Sequence, residues 1–69
     1  MSEFTQLIVG MVENAGGSTT YPALYEALPA QDRYQLPGAI REAKKAGVLK
    51  QEVLHDETTG VNTHRVWKV

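Results

Sequence analysis

The chain has 69 residues, 42% of them apolar and 22% charged, and a formal net charge of −1. That length suits a single domain over residues 1–69 with a marginal core, one that buries about 60% of the surface its unfolded chain exposes. Cysteine is absent, which excludes disulfides, thiol catalysis and cysteine-held metal centres, and no apolar run nears the roughly 18 residues that span a bilayer.

The amino terminus carries no basic, apolar leader pattern, so the expectation is a small soluble, cytoplasmic domain without a membrane partner. Phe4, Leu7, Ile8, Met11, Val12 and Ala15 recur at helical spacing and predict an amphipathic first helix. Ser2 is placed to cap its start, Glu3 suits the positive end of the dipole, and Gly16-Gly17 stops it. Val9 falls off this stripe and reads as an exposed valine, with a dimer contact or close helix crossing as the alternative, while Gly10 sits mid-helix at a cost of about 1 kcal/mol against alanine. Ser18, Thr19 and Thr20 are polar and β-prone and suit a brief strand or an extended link. Thr20 then caps a second helix from Tyr21 to Leu28, with Pro22 in a first-turn position that needs no amide partner. This helix is expected to bury Leu24, Ala27, Leu28 and part of Tyr21.

A third helix is predicted from Leu36 to Ala46, after a turn or loosely wound segment over Asp32–Gln35. Leu36, Ala39, Ile40, Ala43 and Gly47 share one face, and Gly47 is the stop. Pro37 blurs the start, because a residue preceding proline avoids helical torsions. From Val48 the apolar period changes from 3.6 to 2. Val48–Leu54 and Thr63–Val69 read as antiparallel strands joined by a polar connection, His55–Asn62, that contains Gly60. Trp67, on the second strand, is expected in the core.

Charge is segregated along the chain. Residues 1–32 hold Glu3, Glu13, Glu26 and Asp32 with no Lys or Arg, so all 7 basic side chains lie in residues 33–69, against the four remaining acids. Such segregation is what a one-sided binding face looks like. On the third helix the face opposite the apolar stripe holds Gly38, Arg41 and Lys45, joined by Tyr34 if the turn before Leu36 is helical, and flanked by Glu42 and Lys44.

The order of helix, extended link, helix, turn, helix and hairpin resembles the winged helix-turn-helix family. The resemblance is carried by Gly17-Ser18-Thr19-Thr20-Tyr21-Pro22-Ala23-Leu24 and by Leu36-Pro37-Gly38-Ala39-Ile40-Arg41-Glu42-Ala43-Lys44-Lys45-Ala46-Gly47-Val48-Leu49. It implies an α+β fold: a three-helix winged helix-turn-helix with a C-terminal β-hairpin wing. It also implies a small regulator of transcription that binds double-stranded DNA, with the third helix in the major groove and the wing on the backbone. Pro37 inside the recognition helix and the slightly acidic total charge depart from the family pattern.

Under that reading Tyr34, Gln35, Gly38 and Arg41 are the candidates for base contact, Arg41 through a bidentate bond to a guanine edge. The phosphate candidates are Ser18, Thr19, Thr20 and Tyr21 at the start of the second helix, Arg33, Lys44 and Lys45, and Thr63, His64, Arg65 and Lys68 on the hairpin. So few cations imply weak binding by one protomer, hence a homodimer or a larger partner protein. The alternative is a winged-helix protein–protein interaction module, an adaptor or inhibitor that binds no DNA. His55 and His64 with Asp56 or Glu57 have the ligand types of a two-histidine, one-carboxylate site, but a flexible loop lacks the supporting shell. No metal or cofactor is expected. No nucleophile lies near a histidine, so no enzymatic activity is expected either.

Overall fold

Side-chain caps decide where two of the helices begin. In the computed structural model, which describes residues 1–69, α1 spans Glu3–Asn14 and Ser2 accepts a bond from the Thr5 amide at its start. Thr5 itself is buried, and its hydroxyl bonds that of Ser2 at 2.9 Å. Strand β1 (Ser18–Thr20) leads directly into α2 (Tyr21–Ala27), where the Thr20 hydroxyl accepts from the Ala23 amide. A 3-10 turn over Ala30–Gln35 runs without a break into α3 (Leu36–Lys45). That continuity explains the tolerance of Pro37: Leu36 adopts helical torsions (φ −60°, ψ −46°) because the preceding turn is already wound.

The two long helices end alike. In α1 the Gly16 and Gly17 amides bond the Glu13 and Val12 carbonyls, and in α3 the Gly47 and Val48 amides bond those of Lys44 and Ala43. This paired closure needs a left-handed residue just past the helix, which Gly16 (φ 85°) and Gly47 (φ 77°) supply. It also reverses the chain so that Val48 enters the sheet beside the helix it has just left.

Strands β2 (Leu49–His55) and β3 (Asn62–Lys68) form a hairpin, and β1 pairs with the other side of β3, giving the antiparallel order β1-β3-β2. Three helices and a three-stranded antiparallel sheet with a C-terminal hairpin make an α+β fold whose arrangement is compatible with a winged helix. No helix is long and apolar enough to cross a membrane.

The core gathers Ile8, Val9 and Val12 of α1, Leu24 and Leu28, the whole stripe Leu36, Ala39, Ile40 and Ala43 of α3, and one residue from each hairpin strand, Leu49 and Val66. In α1 the buried stripe is rotated from the expected one. Val9 is buried while Leu7 is 54% exposed and Ala15 lies at the surface, because the inward face is centred between Thr5, Ile8, Val9 and Val12. Ala27 is likewise exposed, since α2 ends there and Leu28 turns inward as its cap residue. Trp67 is no part of the core. Successive strand residues face opposite sides, so the burial of Val66 turns Trp67 to the outer face of the sheet, where it is only half-buried.

Candidate nucleic-acid interface

The register of the hairpin sorts its polar side chains onto two faces. Val66 points at the helices, and with it point His64 and, across the strand pair, Gln51 and Val53. Arg65 and Trp67 point the other way, opposite Glu52 and Lys50. The exposed side of α3 leans toward the first of these faces. Lys44 Nζ donates to Gln51 Oε1 at 3.3 Å, and Gln51 Nε2 donates to His64 Nδ1 at 3.2 Å. A chain of three side chains therefore ties the helix to both strands of the hairpin.

Between them runs a trough of about 230 Å³ lined by Tyr21, Pro37, Ile40, Arg41, Lys44 and Gln51. It adjoins a second concavity of about 290 Å³ formed by Tyr21, Gln51 and His64. The rings of Tyr21 and His64 lie 6.2 Å apart and tilted, and Tyr25 stacks behind Tyr21 at 6.5 Å. Partial burial, with Tyr25 adding to it, holds the Tyr21 phenol above its ordinary ionisation range. Tyr21 lines the trough with a hydroxyl that, like that of any tyrosine at pH 7, is neutral and able to donate to an anionic oxygen.

At the leading end of α3, Tyr34 stands 79% exposed, Gln35 is half-buried, and Gly38 opens the surface: a Cβ added there would meet nothing within 4 Å. Of the residues singled out from the sequence, Tyr21, Arg41, Lys44 and His64 converge on the trough, while Tyr34 stands exposed in the 3-10 turn before α3 and Gly38 in the first turn of the helix. Gln51 completes the set. Sequence reasoning passed over it, although the alternation that places Val66 inward also places Gln51 beside it.

The remaining cations are directed elsewhere. Lys45 borders a separate hollow with Met1, Ser2 and Glu42. The Arg33 guanidinium lies 5.0 Å from the Tyr25 ring centre and donates to the Tyr25 carbonyl at 2.9 Å. Arg65 donates to the Ser18 hydroxyl at 3.0 Å on the outer face, and Lys68 is ion-paired with Glu13 at the end of α1. Ser18 and Thr20 therefore spend their hydroxyls within the fold, Ser18 on Arg65 and Thr20 on its own helix cap. Thr19 and Thr63 are half-buried in their strands, and neither hydroxyl has a side-chain partner.

At the hairpin tip Asp56 closes the turn on itself, its carboxylate accepting from the Thr58 amide at 2.9 Å and its carbonyl from the Gly60 amide at 2.7 Å. His55 donates to Asn62 at 2.7 Å, so the two hairpin histidines bond different amides, and no three His, Asp or Glu side chains gather as a metal set.

Comparison with protein-family models, with curated proteins and with solved structures found no match.

Proposed function

We propose that this chain is a duplex-DNA-binding domain of the winged-helix type, acting as a transcriptional regulator that lays α3 in the major groove and the hairpin along the backbone. What supports the reading is one juxtaposition: Arg41 and Lys44 on the open side of α3 share a trough with the neutral donor Tyr21 and with the hairpin. The major groove, about 12 Å wide, accepts a helix presenting such groups. Arg41 has no internal partner and serves as the base reader, with Tyr34 exposed in the 3-10 turn that leads into α3. Lys44, Tyr21 and His64 take phosphate oxygens of the strand that follows the trough.

Titrating duplex DNA into labelled protein at two salt concentrations tests this by NMR. Shifts should concentrate at Arg41, Lys44, Gln51 and His64 and weaken with salt; no movement in α3 or the hairpin at low salt ends the proposal. Arg41→Ala should weaken binding by about 1–3 kcal/mol and blur sequence preference, and Lys44→Ala should weaken all sequences alike. Gly38→Ala should raise stability by about 0.5–1 kcal/mol, since helix-interior glycine is costly, yet weaken binding where the duplex approaches. A protein-interaction role is the second reading, favoured by the internal engagement of Arg33, Arg65 and Lys68. Recovery of one stoichiometric protein partner, insensitive to nuclease, would select it.

A further inference from the structure

β2 is a bare sheet edge. It is terminal in the order β1-β3-β2, seven residues long, free of proline and paired to β3 without a bulge from Leu49↔Lys68 to His55↔Asn62. Natural sheets ordinarily blunt such an edge by proline, by a bulge, by a covering element or by charged side chains, and of these β2 carries only Lys50 and Glu52, which are opposite in sign. The Val69 amide bonds the Val48 carbonyl, and the Asp56 amide bonds the Val61 carbonyl. In an antiparallel ladder this parity means that the even-numbered residues of β2 bond to β3, while Leu49, Gln51 and Val53 turn their amides and carbonyls outward. Along that edge lies an open trough of about 500 Å³ lined by Lys44, Leu49, Lys50, Gln51, Glu52 and Trp67.

We propose that the occupant is β2 of a second copy of this chain, joined antiparallel about a twofold axis at Gln51 so that two three-stranded sheets become one. The charges select both the partner and the register. Centred on Gln51, the pairing sets Lys50 against Glu52 of the other copy, twice. Centring on residue 50 would set lysine against lysine, and centring on residue 52 would set glutamate against glutamate. Opposed charges directly across strands stabilise and like charges destabilise. The same register places Leu49, Gln51 and Val53 opposite Val53, Gln51 and Leu49, all outward-turned, so about six backbone bonds form without disturbing β3. Val53, 53% exposed in one chain, gains Leu49 as a cross-strand neighbour, and Leu54, 41% exposed, gains Val48. The contact is isologous, so it closes at two copies.

Sedimentation and light scattering across a concentration series, with no DNA present, test the pairing apart from the DNA reading. The mass should rise to twice the 7.6 kDa of one chain. Lys50→Glu and Glu52→Lys should each weaken the dimer at least tenfold, and the double exchange should restore it, because opposed charges face each other again. Val53→Pro should abolish the dimer with the fold intact by circular dichroism, since its amide points away from β3. A mass of 7.6 kDa at every concentration overturns the proposal. So does a dimer indifferent to all three single substitutions, or a folded double exchange that stays monomeric.

Discussion

α3 and the hairpin are both amphipathic, yet they are held in opposite ways. The helix of ten residues buries four, Leu36, Ala39, Ile40 and Ala43, in a continuous stripe. The hairpin, with seven residues in each strand, buries only Leu49 and Val66, both near its base. Beyond that base its order comes from the backbone ladder and from polar links: Gln51 to His64, His55 to Asn62, and Asp56 to the Thr58 amide. Apolar burial thus fixes the helix and leaves its far side exposed. The hairpin is anchored at one end and projects as an arm.

The sharpest test of this contrast pairs one apolar truncation in each region. Ile40→Ala should cost about 2–5 kcal/mol in urea denaturation, a large share of the stability of so small a domain, because it removes a buried side chain of the core. Val61→Ala, at the tip of the projecting arm where the side chain is 56% exposed, should stay within about 0.5 kcal/mol. Equal losses would mean that the arm belongs to the core. Next in size is Ser2→Ala, which removes the α1 cap and strands the buried Thr5 hydroxyl; a loss of about 1–2 kcal/mol is expected in the same measurement. Smallest is Asp56→Ala. Its effect on global stability should be within about 0.5 kcal/mol, while amide exchange at Thr58 and Thr59 speeds up because their acceptor is gone.

Sequence pattern located every element to within a few residues, because the signals were chemical: serine and threonine caps, glycine stops, and a change of apolar period at Val48. Where it misplaced side chains, the cause is geometric. α1 is apolar over much of its circumference, with Phe4, Leu7, Ile8, Val9, Met11 and Val12, so periodicity alone did not fix which arc turns inward. The packing of α1 against α3 and the sheet decided it, rotating Val9 in and Leu7 out. Trp67 was legible in principle. Adjacent strand residues cannot share a face, so Val66 and Trp67 had to divide, and the smaller one took the core. The engagement of Arg65 with Ser18 and of Lys68 with Glu13 joins residues more than forty positions apart, and only the closed sheet brings them together. A count of cations in the carboxy-terminal half therefore overstates the charge offered on one surface.

The placement of Trp67 has a practical corollary. As the sole indole of the chain, on the outward side of the sheet directly across from Lys50, it dominates intrinsic fluorescence while standing apart from the apolar interior. Its emission is thus a native optical gauge of events at the sheet surface and its rim. Loosening of the helical interior with the strands still paired should leave that signal nearly silent.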